Sequence, residues 1–362
     1  MVTRKNLYAN RRRNYGKKYK IVLSLVIVFV LLFGRNSMNI TAQASGDASD
    51  NNAYVLAYYD IATKTETMLT AKDVKQRFGI NVNSSTLTIS SEPQQPLMRP
   101  IEEKLSDEEK SDIADKDEKG INYFNTNNGS LLLEESYSNK VSKSARATIG
   151  ETRSKISNPN TSPYYSTAKI YSSDQWIGTG FAVGYNLLAT ARHCLQNDAG
   201  WKSSITAYFG YNGNKGTYFY KANNAIGYIY YPSSTIESSL QDWAFVVWNT
   251  NTVYSTGCYG MKGDGYNGMA VSTVGYPQDL ESGNYMYKCS GTITSCNDYD
   301  FWSDLRVYNG QSGSPVYEET SSGAYAIAIM THSYFPVNGT NNALSRRIDS
   351  GLIGWLIENG YA

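Results

Sequence analysis

The sequence predicts an all-β fold for residues 147–362, and three observations support that prediction. Short apolar runs alternate with turns rich in Asn, Ser and Gly. Tyrosine, which suits a half-buried pleated surface, occurs 31 times in the chain. Ten runs have strand length, namely 168–171, 177–183, 187–191, 205–209, 226–231, 243–248, 269–274, 285–294, 315–318 and 325–330. Short strands that are separated at regular intervals by turns or loops indicate a β-barrel or a β-sandwich.

A helix is expected to close this segment. Asp349 or Ser350 can cap its first turn, and Gly360 ends the pattern. The apolar residues between them recur at helical spacing, at positions 352, 353, 356 and 357. One face of the helix is therefore predicted to pack on the sheets.

Residues 1–44 are predicted to be a bacterial secretory signal peptide. They contain nine Lys or Arg residues and no acidic residue, and 21–33 form an apolar run with one serine. At 1.5 Å per residue this run is too short to cross a bilayer core of about 30 Å. Ala42 and Ala44 supply small residues before a cleavage site, so the exported chain is expected to start at Ser45. The alternative is an uncleaved anchor that keeps the protein at the cell surface.

Residues 45–146 are predicted to be a pro-segment, with an independent binding module as the alternative. A small folded unit is expected within 53–90, including a helix that begins near Thr70 and stops before Gly79. Residues 92–120 start with prolines and continue as a charged run with few apolar residues, which predicts a solvated linker. The alternative for this run is a charged helix face.

Charge and composition exclude several classes of function. The basic excess is confined to the first 44 residues, so the folded part is not expected to bind nucleic acid. The four cysteines lack the spacing of a zinc site, and the chain has only two histidines. We therefore expect no metal and no cofactor, and a secreted monomer without stable membrane association once the signal is removed.

Three short segments contain residue types suited to nucleophilic catalysis. The hexapeptide GQSGSP at 310–315 places Ser312 between residues whose backbone can turn sharply. His193 ends an apolar strand, and Asp242 directly precedes another, where a buried carboxylate needs a partner. Each residue alone also fits a purely structural role. Together they follow the order His, Asp, Ser of one type of catalytic triad.

These segments resemble the signatures of chymotrypsin-fold serine proteases, and GQSGSP resembles the bacterial glutamyl endopeptidases in particular. The segments are TARHC at 190–194, DWA at 242–244 and the hexapeptide, with GTGF at 178–181 and VGYP at 274–277 as further matches. TIG at 148–150 resembles the start of the mature enzymes. The resemblance implies two six-stranded antiparallel β-barrels with an active site between them, and protein or peptide substrates.

The resemblance also implies a role for each residue. His193 acts as the general base, Asp242 orients its imidazole, and Ser312 is the nucleophile. The N–H groups of Gly310 and Ser312 form the oxyanion hole. His332, which follows the strand 325–330, is expected to line the primary specificity pocket and to bind the carboxylate of a substrate Glu or Asp. Val307 and Ser333 belong to the same predicted pocket.

The chain departs from the family pattern at several positions. Val307 replaces a small hydroxyl residue, and Ala343 and Leu344 occupy a wall that usually has a glycine, so a strict preference for Glu is in doubt. Ile177 and Gly178 stand where a cysteine partner for Cys194 is common, which leaves that thiol free or paired with Cys258. Cys289 and Cys296 are candidates for a small disulfide loop.

Gln311 also departs from the family pattern. Chymotrypsin-like zymogens have an acidic residue directly before the serine, which pairs with the new N-terminus after activation. Gln311 is neutral, so this ion pair cannot form. Cleavage after Arg146 would instead produce an N-terminus at Ala147 whose amino group acts elsewhere, near the substrate carboxylate.

The prediction is therefore a secreted serine endopeptidase that cleaves after Glu, or after Asp. Two alternatives remain from the sequence. The same triad can serve a non-acidic specificity, or the chain can be a protease-fold binding protein that has lost activity.

Overall fold

The computed structural model describes residues 54–70, 90–91, 93–96, 102–119, 151–184, 186–197, 199–213, 215–231, 241–249, 253–297, 299–334 and 342–348. The predicted signal peptide, the helix after Thr70, the cleavage site at Arg146 and the C-terminal helix lie outside these residues. Within them, no helix combines the length and the apolar character needed to cross a membrane.

The chain is dominated by strands, as predicted. Strands β1 to β4 lie in the N-terminal segment, at Tyr54–Asp60, Thr65–Thr70, Ser90–Ser91 and Glu103–Lys104. Strands β5 to β15 follow at Ser154–Lys155, Thr167–Tyr171, Trp176–Gly184, Leu187–Thr190, Gln196–Asn197, Gly200–Trp201, Thr206–Phe209, Thr217–Tyr218, Tyr220–Ala222, Ala225–Tyr230 and Ala244–Trp248. Strands β16 to β22 are Gly260–Lys262, Ala270–Gly275, Tyr287–Cys296, Asp300–Ser303, Pro315–Thr320, Gly323–Tyr334 and Asn342–Arg347.

Helices are few and mostly short in the described residues. Helix α1 covers Asp107–Lys119, and the four-residue helices α2 and α3 cover Arg192–Leu195 and Val253–Thr256. Two 3₁₀ turns lie at Tyr164–Ser166 and Glu281–Gly283. The site residues are therefore positioned mainly by strands and loops.

The strands form two large sheets, one of which closes into a barrel. The first sheet has nine strands in the order β13-β11-β6-β7-β8-β15-β14-β1-β2. In the second, the ladder β20-β17-β18-β19-β22-β21 returns to its start because β20 also pairs with β21. This produces a closed six-stranded antiparallel barrel, as the resemblance implied for each half, whereas the described strands of the first sheet form one open ladder.

All ten strand predictions fall on observed strands, with ends that differ by a few residues. The pattern missed β19, at Asp300–Ser303, and β22, at Asn342–Arg347, although both belong to the closed barrel. Neither segment has a long apolar run. Both are strands because they pair with each other and with longer neighbours.

The prediction of a solvated linker at 92–120 is wrong, because residues 107–119 form helix α1. Ser106 and Glu109 make reciprocal hydrogen bonds to each other's backbone N–H, at 2.8 and 3.1 Å, and so cap its start. Leu105 and Ile113 are buried against the strands. These two side chains anchor the helix on the strands, so it packs despite its high charge.

The N-terminal segment is also continuous with the sheets. β1 pairs antiparallel with β14 and extends the first sheet, and β4 pairs with β12. β3 pairs with β16 of the second sheet, and Gln94 forms a bridge with Cys258. Four separate pieces of residues 54–119 thus contact the β-domain through backbone hydrogen bonds.

Candidate active site

His193 and Asp242 are brought together by the pairing of two neighbouring strands. β8 and β15 are antiparallel with Thr190 opposite Ala244, so the residues just beyond this pair lie side by side. His193 lies in α2, directly after β8, and Asp242 lies just before β15. The backbone N–H of His193 donates to Oδ1 of Asp242 at 2.9 Å, and Nδ1 of His193 lies 2.7 Å from Oδ2.

Burial makes this pair electrostatically strong. The Asp242 side chain has no exposed surface. Burial opposes its ionisation, but the charge and hydrogen bonds of His193 outweigh burial and lower the pKa of Asp242 to about 2. Burial likewise opposes protonation of His193, but the Asp242 carboxylate outweighs it and raises the pKa of His193 well above 6.5. Asp242 is thus a permanent anion that favours the imidazolium form of His193.

Ser312 lies in a tight loop between the two sheets, and two glycines permit its shape. Gly310 and Gly313 have φ of +94° and +83°, a region that strains other residues. A side-chain carbon on Gly310 would collide with the Trp176 ring and the Tyr276 carbonyl. On Gly313 it would collide with the Thr190 hydroxyl. The glycines that flank the serine are therefore required both by backbone conformation and by space.

Within the hexapeptide 310–315, the backbone N–H groups of Gly310 and Ser312 have no acceptor among the described residues. The N–H groups between and after them are all engaged. Gln311 donates to Tyr308 O, Gly313 to Met330 O and Ser314 to Gln311 O, at 2.7–3.0 Å. The two N–H groups that the resemblance implied as an oxyanion hole are thus the two that remain available to a ligand.

Thr179 holds this loop in place, a role that the sequence analysis did not assign. Its backbone N–H donates to Ser312 O at 2.9 Å, and its hydroxyl donates to Gly310 O at 2.7 Å. Thr190 in turn donates its hydroxyl to Thr179 O at 2.8 Å. The carbonyls of Gly310 and Ser312 are therefore turned toward the first sheet. Thr179 stands inside the matched GTGF motif, which was the only sequence signal for it.

An open pocket adjoins Ser312, and the three residues predicted to bind the substrate side chain all line it. Val307, His332 and Ser333 line it together with Ser312 and Gln311. The remaining lining residues are Tyr308, Asn309, Met330 and Thr331. Ala343 and Leu344, predicted to form a wall, instead pair with Ser333 and His332 across the ladder and are not among the lining residues. No Lys or Arg lies among those that line it.

His332 connects the pocket to the His193–Asp242 pair. Its ring centroid is 5.7 Å from that of His193, and its Nδ1 is 4.0 Å from Oδ2 of Asp242. Burial lowers the pKa of His332 to about 4, although the nearby Asp242 carboxylate opposes this shift. The imidazole is neutral at pH 7 and presents one N–H donor.

Gln311 and Cys194 support the loop from the interior. Gln311 is buried, and its Oε1 accepts from the N–H of Tyr308 at 3.0 Å, inside its own loop. The thiol of Cys194 faces Ser312 O at 3.8 Å. All four cysteines are free thiols, so neither a Cys194–Cys258 nor a Cys289–Cys296 disulfide forms. Gly178, the residue beside Cys194, has no side chain to supply a second sulfur.

His193, Asp242 and His332 also form a set of possible metal ligands, with one ligand atom from each within 4.8 Å of the others. In this geometry, however, both Asp242 oxygens already accept hydrogen bonds from His193. If Asp242 held a metal through Oδ2, that contact would compete with the hydrogen bond that Oδ2 accepts from Nδ1 of His193. The observed hydrogen bonds fit an oriented general base better than a metal centre.

Comparison with known proteins relates this chain to peptidases. Residues 178–325 match the trypsin-like peptidase domain family. The match includes His193, Asp242 and Ser312 and ends before His332. A Bacillus subtilis protein named extracellular metalloprotease is 30% identical over 197 residues, which cover 50% of this chain and 60% of that protein. A glutamyl endopeptidase of Bacillus licheniformis is 27% identical over 229 residues, which cover 60% of this chain and 71% of that protein.

Two solved structures align with a similar part of the chain. A Glu endopeptidase in complex with MPD aligns with a TM-score of 0.49 at 23% identity, over 58% of this chain and 97% of that one. A thermostable serine protease, AL20, from an extremophilic microorganism aligns with a TM-score of 0.42 at 17% identity, over 54% of this chain and 95% of that one. The chain spans about three fifths of the length of the Bacillus subtilis relative.

Proposed function

We propose that this chain, of which residues 178–325 match the trypsin-like peptidase domain family, is a secreted serine endopeptidase that cleaves after acidic residues. The observation that carries the proposal is the free pair of N–H groups at Gly310 and Ser312, beside a buried His193–Asp242 pair. In this proposal His193 removes the proton from Ser312 and later delivers it to the leaving amine. The two N–H groups bind the oxyanion, and no cofactor takes part.

The proposal extends to export and processing. Residues 1–44 act as a signal peptide, residues 45–146 as a pro-segment and residues 147–362 as the protease domain, which works as a monomer. Cleavage after Arg146 produces a chain that begins at Ala147. N-terminal sequencing of the secreted protein tests this arrangement, and a start far from Ala147 would contradict it.

Labelling with a fluorophosphonate tests the chemistry directly. The reagent is expected to modify one residue, Ser312, as mapped by mass spectrometry of the digested protein. A parallel sample with 1,10-phenanthroline keeps its labelling and its peptidase activity if no metal takes part. Loss of activity with the chelator, together with no labelling, would instead support the metal site at His193, Asp242 and His332.

The acidic specificity rests on the composition of the pocket. His332 offers a neutral N–H, and Ser333 offers a hydroxyl within the same lining. Both can donate to a substrate carboxylate, whereas Val307 cannot. The name of the Bacillus licheniformis relative agrees with this preference. We therefore propose Glu as the preferred residue before the scissile bond, with Asp second.

Replacing His332 by Ala is expected to reduce selectivity for Glu by about 10–100-fold. The lost hydrogen bond joins a donor to a charged group, and such bonds contribute about 1.5–3 kcal/mol. The measurement is kcat/KM on two peptides that differ only in Glu or Gln before the scissile bond. Their ratio cancels any effect of His332 on the neighbouring Asp242.

An isosteric variant provides the opposite test of the pocket. Val307→Thr adds a hydroxyl to the wall at nearly constant volume, so the ratio of Glu to Gln cleavage is expected to rise.

If His332→Ala lowers both rates equally, His332 does not bind the substrate carboxylate. Profiling on a peptide library would then identify the true preference.

A further inference from the structure

A buried ion pair joins the N-terminal segment to the β-domain. Nζ of Lys169 lies 2.9 Å from both oxygens of Asp117, near the end of α1. The Lys169 side chain has no exposed surface, and the hydroxyl of Tyr171 donates to Asp117 at 3.0 Å. Burial lowers the pKa of Lys169 to about 8 while Asp117 opposes the shift, so the ammonium is mostly charged at neutral pH. Asp117 thus neutralises a cation that the β-domain alone would leave buried.

The same ammonium contacts a tryptophan that packs on the active-site loop. Nζ of Lys169 is 4.1 Å from the centroid of the Trp176 ring, a cation–π geometry. The Trp176 Nε1–H donates to Gly178 O at 3.0 Å, which sets the orientation of the ring. The far edge of the ring lies so close to Gly310 and Gly283 that neither position has room for a side chain. Contacts therefore run without a break from Asp117 through Lys169 and Trp176 to Gly310.

We propose that Asp117 is a positioning residue for the Gly310–Ser312 loop, acting through Lys169 and Trp176. The segment that contains α1 is then a working part of the enzyme and stays bound to it after any cleavage at Arg146. This inference rests on the proposed serine protease function. It adds a requirement that the triad and the pocket do not by themselves imply.

Removing the charge of Asp117 is expected to weaken the contact at Gly310. A buried ammonium without a counter-charge either moves toward water or loses its proton. In both cases the attraction between Lys169 and the Trp176 face is lost. The N–H of Gly310 then loses one of the groups that fix its direction. Because an oxyanion hole acts mainly in the transition state, kcat should fall while KM changes little.

The experiment compares Asp117→Asn with the wild-type full-length chain. We expect kcat per active site to fall about tenfold, with KM within about twofold. Active sites are counted by titration with a fluorophosphonate, so a variant that is merely less well folded shows fewer sites but a normal kcat for each. A normal kcat per site in Asp117→Asn overturns the proposal.

Three further variants separate the possible explanations. Asp115→Asn makes the same chemical change at an exposed position of the same helix and should behave as wild type. Asp117→Glu retains the charge and should recover most of the lost kcat, whereas an equal loss in both variants overturns the charge argument. If Asp117→Asn does not fold, Trp176→Phe withdraws the ring edge from Gly310 and should itself lower kcat per site about tenfold. An unchanged kcat in Trp176→Phe also overturns the proposal.

The fate of the segment is tested on the processed protein. After cleavage, peptides from residues 102–119 should co-elute with the catalytic chain in gel filtration at neutral pH. Release of this segment from a catalytic chain that keeps its full kcat overturns the inference. If the wild type and Asp115→Asn neither hydrolyse peptides nor react with the fluorophosphonate, the proposed function fails instead.

Discussion

Replacing Ser312 by Ala is expected to lower kcat by about 10⁶-fold, the size of effect seen when a triad nucleophile is removed. The loss is this large because no other hydroxyl of the loop can take over the reaction. The measurement is the hydrolysis rate of a chromogenic peptide ester and of a peptide amide. Fluorophosphonate pretreatment of the Ser312→Ala sample alone excludes contaminating serine proteases.

The hexapeptide provides a matched control at Ser314. This second serine is fully buried, and its hydroxyl has no hydrogen-bond partner among the described residues. Ser314→Ala therefore removes a group of the same type from the same loop and should retain activity within a few fold. If Ser314→Ala is inactive while Ser312→Ala retains activity, the assignment of the nucleophile is wrong.

Replacing Asp242 by Asn is expected to lower kcat by about 10⁴-fold with little change in KM. An amide at this position can donate to Nδ1 of His193, which favours the tautomer in which Nε2 carries the proton and cannot accept one. The change is isosteric and keeps the packing. The midpoint of unfolding, measured for the variant and for the wild type, controls for a loss of stability. A loss smaller than tenfold would contradict a catalytic role for Asp242.

The same variant changes the pH dependence in a defined direction. In the wild type, Asp242 raises the pKa of His193 well above 6.5, so kcat/KM falls as pH drops through that raised value and His193 becomes protonated. Without the carboxylate charge, burial still opposes protonation of His193 and its main counterweight is gone, so the pKa of His193 falls. The acid limb of kcat/KM is therefore expected to move to lower pH in Asp242→Asn. A limb that stays in place would show that another group controls it.

Local sequence was sufficient to predict the strands that are apolar along their whole length. Residues 243–248 have few other options, because a run of buried β-branched and aromatic residues folds best inside a sheet. β19 and β22 could not be recognised in this way. Each owes its structure to the neighbour with which it pairs, and pairing partners distant in the chain leave no local pattern.

For helix α1, the sequence led to a wrong prediction. Its charge and its few apolar residues predicted a solvated linker, although the capping pair Ser106 and Glu109 was present in the sequence. What stabilises the helix is contact with distant residues: Glu109 with Lys221 at 2.8 Å, and Asp117 with Lys169 at 2.9 Å. From sequence alone, a charged residue on a helix face is predicted to be solvated, because its partner is distant in the chain and not yet known.

For the candidate site, the residue types and their order along the chain were enough to identify His193, Asp242 and Ser312 as candidates. Only the tertiary structure decided that Thr179 turns two carbonyls away from the cleft and leaves the N–H groups of Gly310 and Ser312 available. It also connected Asp117 to that loop through two intervening residues, Lys169 and Trp176. The physical reason is that the chemistry of a side chain depends on its residue type, which the sequence gives directly. Its burial and the direction of its hydrogen bonds depend on groups that only folding brings together.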